Sequence, residues 1–287
     1  MARIAYVNGR YVGHAAAAVH VEDRGYQFAD GVYEVCAVRG GRLMDERRHM
    51  DRLDRSLGEL RIRWPMHRSS LAVVMREVVR RNRIDDGIVY VQVTRGVAPR
   101  DHAFPEPEVL PAIVITARAM PMEPRNKVAE KGVAVVTVPD TRWARVDIKT
   151  VGLLPNVLAK ETGRAAGAFE TWFVDAKGFV TEGTSTNAWI VRAGGTLVTR
   201  PADRSILWGV TRAVLLDVVR REGLRLEERA FSVSEAIAAD EAFLTSATNP
   251  VTPVVKIDGR TIGDGKPGPV ALRLRRAILD AAEMSVL

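Results

Sequence analysis

The amino-acid sequence predicts an α+β protein of two domains, and three observations support this fold class. The chain has 287 residues, which is more than one hydrophobic core usually organises. Helical and strand patterns alternate in its first part, and strand patterns become denser after residue 132. Residues 119–132 are polar, contain prolines and lack periodicity, as a linker does. We therefore expect a small N-terminal domain over 1–118, a linker over 119–132, and a larger C-terminal domain over 133–287.

The N-terminal domain is expected to start with a hairpin, because "RIAYVNGRYV" carries the turn dipeptide Asn8-Gly9 between two apolar runs. Two amphipathic helices follow. The stretch "HMDRLDRSLGEL" repeats apolar residues at helical spacing, and "SSLAVVMREVVRRN" does the same behind a predicted serine cap. The segments "IVYVQVTRG" and "AIVITAR" have the β-branched content of strands.

The C-terminal domain is expected to be richer in strands. Strand patterns occur in "VAVVTVPD", "ETWFVDAKGFVTEG", "NAWIV", "GTLVTR" and "EAFLTSA". Helical patterns occur in "PNVLAKETGRAAG", "GVTRAVLLDVVRREG", "VSEAIAAD" and the closing "PVALRLRRAILDAAEM".

Composition excludes several classes of protein. The net charge is +7, but the arginines are interleaved with acids along amphipathic helices, which favours a solvated surface over nucleic-acid binding. No apolar run is long enough for a transmembrane helix. The single cysteine, Cys36, leaves no disulfide framework or cysteine-based zinc site, and no spacing of His20 or His49 suggests a metal. We expect a cytoplasmic protein without a membrane, nucleic-acid or metal partner.

Lys149 is the leading candidate for covalent chemistry. Only seven of the 42 basic residues are lysines, and Lys149 follows an apolar residue and precedes the run "VGLL". Apolar surroundings disfavour the charged form of a lysine, and a neutral amine can form a Schiff base. A snorkelling surface lysine is the alternative in this window. Lys160 has polar neighbours and is expected at the surface.

Other windows could bind an anion or a cation, although each has a structural alternative. Gly209-Val210-Thr211 opens a helix, whose free N–H groups attract an anion, but Thr211 could be only a cap. The small-residue loop within "LTSATNPVTP" could contribute further N–H groups. Arg52 and Glu182 could each be a solvated charge. Arg100 and His102 lie between Pro99 and Pro105 in a predicted loop. Their side chains are either solvated or part of a functional site.

Six windows together resemble the fold-type IV enzymes that use pyridoxal 5'-phosphate (PLP), and most closely the D-amino acid aminotransferases. The windows follow the family's order over nearly the whole chain: "EDRGYQFADGVYEV", "VTRGVAPRDHAFPE", "RWARVDIKTVGLLPNVLAK", "FVTEGTSTN", "ILWGVTR" and "LTSATNPVTPVVKIDG". The resemblance implies a two-domain fold whose larger domain has a mixed, barrel-like sheet. It also implies transamination between D-amino acids of the alanine, glutamate and aspartate class and 2-oxo acids such as 2-oxoglutarate and pyruvate.

The resemblance also implies a role for each candidate residue toward PLP. Lys149 would form the Schiff base and act as the general base. Glu182 would bind the pyridine nitrogen, and Leu207 would pack on the ring. The phosphate would be bound by the residues that match the family's two phosphate loops and its phosphate-binding arginine, which are Arg52, Val210, Thr211, Ser246 and Ala247. Where the family usually has threonine this chain has Ala247, so we expect somewhat weaker retention of the cofactor.

For the substrate, the resemblance implies that Tyr33, Arg100 and His102 bind the α-carboxylate. In this family the Arg-x-His loop crosses a dimer interface, so the resemblance implies a homodimer. A branched-chain L-amino acid aminotransferase, which generally lacks the Arg-x-His pair, and an aminodeoxychorismate lyase remain alternatives within the fold. A basic nucleic-acid-binding protein is the non-enzymatic alternative.

Overall fold

The computed structural model describes residues 3–285 and confirms the α+β fold class. The described residues form two compact units. The first unit contains residues 3–122, the short segment Ile148–Gly152 and residues 283–285. The second unit contains Glu123–Asp147 and Leu153–Ala282. The change from the first unit to the second thus falls inside the range predicted as a linker.

The first unit contains an antiparallel sheet of six strands. Its elements in chain order are β1 (Ile4–Val7), β2 (Arg10–Gly13), α1 (Arg24–Phe28), β3 (Gly31–Arg39), β4 (Arg42–Leu43), α2 (Glu46–Glu59), α3 (Arg68–Arg81), β5 (Gly87–Thr94) and β6 (Ala112–Ala119). The strand order is β2-β1-β6-β5-β3-β4, and residues 31–38 of β3 pair with β5. The predicted hairpin is β1–β2, and Asn8 and Gly9 in its turn both have the positive φ that such a turn requires.

The core of the first unit lies between this sheet and its two long helices. Apolar residues of α2 and α3 recur at helical spacing and pack against inward-facing residues of the strands. Fully buried members of this core are Leu53, Leu57, Leu71, Met75, Val89 and Ile115. The helical face of α2 that turns toward β3 also carries polar residues, and these contribute to the site described below.

The second unit is built on a mixed sheet. Its elements are α4 (Met122–Lys131), β7 (Val133–Pro139), α5 (Leu154–Ala165), β8 (Glu170–Val174), β9 (Val180–Gly183), β10 (Asn187–Arg192), β11 (Thr196–Thr199), α6 (Val210–Arg221), β12 (Leu226–Glu228), α7 (Val233–Ile237), β13 (Glu241–Thr245), β14 (Thr252–Ile257), β15 (Arg260–Thr261) and α8 (Pro269–Ala281). The strand order is β12-β11-β10-β13-β14-β7-β8-β9, with β15 beside β14. The pairs β11–β12, β14–β7 and β7–β8 are parallel, and the others are antiparallel.

Both faces of this mixed sheet are covered. Along β10, Ala188 and Ile190 belong to one core, whereas Trp189 and Val191 belong to another that includes residues of α6 and α8. This alternation follows from the two-residue repeat of a strand. Trp189 stacks on Phe243 of the neighbouring β13, with ring centroids 5.6 Å apart.

Three expectations about local structure were wrong. The predicted linker contains the helix α4, because Pro124 falls in the first turn, where a backbone N–H group is not needed. The N-cap of α3 is His67 rather than a serine, since the His67 side chain accepts from the N–H of Ser69. Residues 148–152, predicted to lie in the C-terminal domain, belong to the first unit because they pair with the start of β3.

Among residues 3–285 no helix is both long enough and apolar enough to cross a membrane.

Candidate active site

Lys149 lies in the first unit, on an extended segment alongside β3. Its carbonyl accepts from the N–H of Tyr33 at 3.0 Å, and its own N–H donates to Oγ of Ser56 at 3.4 Å. The next residue, Thr150, bridges to Val32. The backbone of Lys149 is therefore held on both sides, and the residue is half-buried.

The amine of Lys149 faces the ring of Tyr33. Its Nζ atom is 4.1 Å from the ring centroid. Tyr33 in turn stacks on Tyr90 of β5, with ring centroids 5.6 Å apart and an angle of 29°. Burial, and secondarily the neighbouring phenol of Tyr33, raises the pKa of Tyr90 to about 12, so Tyr90 stays neutral. The Tyr90 hydroxyl donates to Oε1 of Gln92 at 2.7 Å, which fixes this layer of rings.

Arg52 is bound to a buried carboxylate that the sequence analysis did not identify. Its Nε donates to Oε1 of Glu34 at 2.7 Å and its Nη2 donates to Oε2 at 2.8 Å. Nδ1 of His49 lies 2.8 Å from the same Oε2 atom. His49 is thus a buried partner of Glu34. Burial would raise the pKa of Glu34, but the charge of Arg52 and hydrogen bonds from Arg52 and His49 hold it well below the usual range.

One face of α2 supports both of these arrangements. His49, Arg52 and Ser56 follow one another at helical spacing, and all three turn toward β3 or the Lys149 segment. On β3, Tyr33 and Glu34 are consecutive, so their side chains leave opposite faces of the strand. The first unit therefore brings Lys149 to Tyr33 and, separately, Arg52 to Glu34.

Arg100 and His102 lie in an exposed loop without helix or strand, as the two prolines predicted. The guanidinium carbon of Arg100 is 5.0 Å from the ring centroid of Phe28 in α1, and the His102 ring is 5.4 Å from it. No hydrogen bond, ion pair or ring contact within residues 3–285 joins Arg100 or His102 to Tyr33 or Lys149.

Glu182 is buried in the second unit and receives hydrogen bonds from three groups. Nη1 of Arg142 donates to its Oε1 at 2.5 Å, and Nδ2 of Asn187 donates to its Oε2 at 2.9 Å. The backbone N–H of Leu207 lies 3.0 and 3.1 Å from the two carboxylate oxygens. Glu182 is only 5 % exposed, so it is not a solvated charge. This carboxylate is a preorganised anion at the end of β9.

Arg142 links Glu182 to a second acid, Asp140. Nη2 of Arg142 donates to Oδ2 of Asp140 at 2.7 Å. Burial lowers the pKa of Arg142, but hydrogen bonds and the charges of both acids raise it overall, so the guanidinium stays charged. Burial likewise raises the pKa of Asp140, and the Arg142 hydrogen bonds and charge lower it overall. Neither residue was singled out from the sequence.

Helix α6 begins beside the partners of Glu182. Gly209 is the N-cap, so Thr211 is not the cap, and Val210 and Thr211 lie in the first turn with N–H groups directed out of the helix. The Thr211 hydroxyl makes no side-chain hydrogen bond to the residues that the structure describes. A Cβ atom at Gly209 would lie 2.1 Å from Oδ1 of Asn187, so only glycine permits this approach. The arrangement has the geometry of an anion site.

The loop that contains Ser246 and Ala247 is a tight turn. The N–H of Ser246 donates to the carbonyl of Asn249 at 2.8 Å, and the N–H of Asn249 donates to the Ser246 carbonyl and hydroxyl, both at 3.1 Å. Ser246 therefore uses its N–H group inside the turn. The N–H of Ala247 takes part in none of these turn hydrogen bonds.

The described residues contain no cluster of three or more His, Cys, Asp or Glu side chains that could hold a metal ion.

Comparisons with known proteins agree on one family. The family model for amino-transferase class IV matches residues 31–257. The D-alanine aminotransferase of Bacillus licheniformis is 40% identical over 271 residues, which cover 94% of this chain and 94% of that protein. The D-alanine aminotransferase of Listeria innocua is 38% identical over 276 residues, 96% of this chain and 94% of that protein.

Solved structures of related proteins have the same fold. A branched-chain amino acid aminotransferase of Escherichia coli superimposes with a TM-score of 0.89 at 24% identity, covering 98% of this chain and 94% of that one. A T.th. branched-chain amino acid aminotransferase with pyridoxamine 5'-phosphate also has a TM-score of 0.89, at 26% identity and the same coverage.

Proposed function

Because this chain belongs to the class IV aminotransferases, we propose that it transfers amino groups between D-amino acids and 2-oxo acids. The family inferred from the six sequence windows is confirmed, and its members depend on PLP. The observation that carries the proposal is the position of Lys149, whose backbone is held on both sides and whose amine faces the Tyr33 ring at 4.1 Å. The identity of 40% to D-alanine aminotransferases supports the substrate class.

The residues of this chain fit PLP. The buried Glu182 carboxylate would accept a hydrogen bond from a protonated pyridine nitrogen, and Leu207 would contact the ring. The first turn of α6, with the N–H groups of Val210 and Thr211, would bind the phosphate. When bound, PLP supplies an electron sink that stabilises negative charge at the substrate Cα atom.

Arg52, Ser246 and Ala247 complete the proposed phosphate ligands. The Glu34 carboxylate accepts from Nε and Nη2 of Arg52 and fixes the plane of the guanidinium that would bind the phosphate. Ala247 would contribute its N–H group. Ser246 would contribute through its hydroxyl, because its N–H group already bonds Asn249 within the turn.

The chain's own residues would carry out the proton transfers. Lys149 would hold the cofactor through its amine and, once displaced by the amino donor, would remove the proton from Cα as general base. The N–H of Tyr33 and the hydroxyl of Ser56, which bond the Lys149 backbone, would keep the amine on a fixed side of the substrate. A fixed base and a fixed carboxylate together select one enantiomer.

Arg100 and His102 would bind the substrate carboxylate together with Tyr33. A guanidinium can bind a carboxylate bidentately, and an imidazole and a phenol each donate one more hydrogen bond. Within the described part of one chain, no hydrogen bond, ion pair or ring contact joins the pair to Tyr33 or Lys149. We therefore assign the pair to the active site of a second copy, so the working unit would be a homodimer.

The surface around this loop supports the homodimer. Several large apolar side chains are exposed in the single chain, either at or just before α1, which contacts the loop, or in the loop and the residues after it: Val21, Tyr26, Phe104 and Leu110. Tyr26 and Leu110 are 76 and 78 % exposed. Exposed apolar groups of this size are typical of a surface that a protein partner covers. The cytoplasm as the compartment remains a prediction from the sequence.

A branched-chain L-amino acid aminotransferase is the second candidate function. It is favoured by the solved structures of that activity, which share the fold at 24% and 26% identity. The D-alanine aminotransferases are more similar in sequence, at 40% identity. The Arg100-x-His102 pair also supports the D-amino acid aminotransferase over the branched-chain aminotransferase.

A donor screen tests the proposal. Purified protein incubated with PLP should show absorption near the visible edge, and borohydride should fix the cofactor to the peptide that contains Lys149. Paired D- and L-amino acids, including alanine, glutamate, aspartate and leucine, are then offered with 2-oxoglutarate or pyruvate as acceptor. We expect turnover with the D-enantiomers. Turnover with L-leucine alone would support the second candidate, and release of pyruvate from aminodeoxychorismate without an acceptor would indicate a lyase.

A further inference from the structure

Helix α1 carries an arginine that holds the backbone of the Arg100–His102 loop. Arg24 is only 3 % exposed. Its Nη1 donates to the carbonyl of Asp101 at 2.6 Å, and its Nη2 lies 3.4 Å from the carbonyl of His102. Its Nε donates to Oδ2 of Asp30 at 2.8 Å. A buried cation thus bonds two consecutive carbonyls in the loop that bears the proposed carboxylate ligands.

One turn further along α1, Phe28 lies against the side chains of the same loop. Its ring centroid is 5.0 Å from the guanidinium carbon of Arg100 and 5.4 Å from the ring centroid of His102. Arg24 and Phe28 are four positions apart and share one helical face, and the guanidinium carbon of Arg24 is 4.9 Å from the Phe28 ring. This face of α1 therefore contacts both the backbone and the side chains of the loop.

The acid that anchors Arg24 is itself fixed. Asp30 also accepts from Arg95, at 2.7 Å to Oδ2 and 3.0 Å to Oδ1. Arg95 donates in addition to the carbonyls of Leu60 and Arg61, which follow α2. The Asp30 carboxylate therefore joins α1 to the end of α2, and Arg24 is held in a rigid setting.

The start of α1 is fixed to β5 as well. Oδ1 of Asp23 accepts from the N–H of Gly25 at 2.8 Å, and its Oδ2 accepts from the hydroxyl of Thr94 at 2.9 Å. A Cβ atom at Gly25 would lie 2.2 Å from Cγ2 of Thr94, so the close packing of α1 on β5 requires glycine there. These contacts involve residues of "EDRGYQFAD", the part of the first sequence window to which the proposed function gives no catalytic or ligand-binding role.

We propose that Arg24, with Phe28, is the positioning residue for the carboxylate-binding pair Arg100 and His102. The inference rests on the proposed function. The loop has no helix or strand to order it. Without Arg24 it would be disordered in the free enzyme, and the conformational entropy lost when the substrate orders it would weaken substrate binding. Two carbonyl bonds and one aromatic face order the loop before the substrate arrives. Arg24 acts through Arg100 and His102 and does not touch the substrate.

The test compares Arg24→Met with a matched variant, Arg42→Met. Arg42 bonds two neighbouring carbonyls with similar geometry, from Nε to Ser285 at 2.7 Å and from Nη2 to Met284 at 3.4 Å, but these lie in the C-terminal segment. PLP-loaded full-length enzymes are assayed for KM and kcat with D-alanine. Butanoate, a carboxylate without an amino group, serves as competitive inhibitor and reports carboxylate binding without turnover. Thermal unfolding, cofactor absorption and oligomeric state are recorded for each variant.

We expect Arg24→Met to raise both KM for D-alanine and Ki for butanoate by about 10-fold or more, with kcat at saturation and cofactor absorption close to those of the unmodified enzyme. Arg24→Lys keeps the charge but not the planar guanidinium, so its KM and Ki should lie between those of the unmodified enzyme and those of Arg24→Met. Arg42→Met should lower the unfolding temperature and leave Ki unchanged.

Two results would overturn the proposal: a Ki for Arg24→Met within about twofold of the unmodified enzyme, or an equal rise in Arg42→Met. If Arg24→Met does not fold, KM for D-alanine and Ki for butanoate are measured for Arg24→Lys and Phe28→Leu instead, and a rise in both constants is again expected. Absence of transamination and of PLP absorption in the unmodified protein would instead refute the proposed function, so the two failures are distinguishable.

Discussion

Glu34 and Arg52 form a buried bidentate ion pair, with Nε to Oε1 at 2.7 Å and Nη2 to Oε2 at 2.8 Å. The Glu34 side chain is fully buried and that of Arg52 is 9 % exposed. His49 adds a third bond to the carboxylate. Such a pair stabilises the fold chiefly because removal of one member would leave the other charged and uncompensated.

We therefore expect Glu34→Gln to lower the free energy of unfolding by about 3–5 kcal/mol, because it leaves the Arg52 guanidinium buried without its counter-charge. Urea unfolding at neutral pH without PLP measures this loss. Glu46→Gln is the control, since it breaks the partly exposed pair of Glu46 with Arg76 and should cost about 1 kcal/mol or less. Equal losses in the two variants would contradict the assignment.

The same ion pair should make stability depend on pH. Burial raises the pKa of Glu34, but the Arg52 charge and its hydrogen bonds lower it well below the usual range. At acidic pH the carboxylate therefore stays ionised in the folded state after it has become protonated in the unfolded state. This contribution is complete above the unfolded pKa of about 4.3 and is lost as the pH falls from there toward the lower folded pKa. Unfolding free energies measured between pH 7 and 3 should fall more steeply below about pH 4.3 in the unmodified protein than in Glu34→Gln. Parallel curves would remove Glu34 as the cause.

Lys149→Ala should abolish transamination while the chain still folds. The amine is the proposed general base, and loss of such a group costs at least about 10²- to 10⁴-fold in rate. Turnover with D-alanine and borohydride fixation of PLP are the measurements. Lys160→Ala is the matched control, because the Lys160 side chain is about half exposed, with its Nζ near the carbonyl of Phe169 and 3.4 Å from Oε2 of Glu170, and the variant should keep its activity. Retained turnover in Lys149→Ala would exclude Lys149 from the mechanism.

How far the sequence predicts this molecule depends on the range of the interactions. Helices and strands followed from periodicity, and the candidate residues followed from windows that each lie within one short segment. The interaction partners of those residues could not be predicted in this way, because only the fold brings each partner next to its residue. Arg142 is 40 positions from Glu182, and Glu34 is 18 positions from Arg52. A buried acid inside a strand pattern, such as Glu34 in "GVYEVCAV", is the one signal that could have indicated its network.

The domain organisation was predicted less well, for a similar reason. Residues 148–152 are too short for a periodic pattern, and only their pairing with β3 assigns them to the first unit. The two prolines before and within α4 suggested a coil, but a proline in the first helical turn costs no hydrogen bond. Composition alone does not predict either feature, because the assignment of residues 148–152 depends on strand pairing and the helix α4 depends on where in the helix its proline falls.

Arg100→Ala should mainly raise KM for the amino donor. Loss of one charged hydrogen bond of up to about 3 kcal/mol corresponds to about a 10²-fold rise. Steady-state kinetics with D-alanine measures it, and the unfolding temperature should change little because Arg100 is exposed. Arg63→Ala removes another exposed arginine of the same unit, which pairs with Glu108 at 3.7 Å, and should leave KM unchanged. A change in stability alone would indicate that Arg100 is structural.

Ala247→Thr should strengthen the retention of PLP. The N–H of Ala247 lies outside the hydrogen bonds of the turn formed by Ser246 and Asn249, so it is available for a phosphate, and a threonine would add a hydroxyl beside it. One additional hydrogen bond of about 1 kcal/mol would lower the dissociation constant of PLP by about 5-fold. Dialysis against cofactor-free buffer, followed by the cofactor absorption, measures the rate of loss. Ala247→Val has nearly the same shape as threonine without the hydroxyl, and it should retain PLP no better than the unmodified chain. Equal retention in the Thr and Val variants would show that this loop does not bind the phosphate through a side chain at position 247.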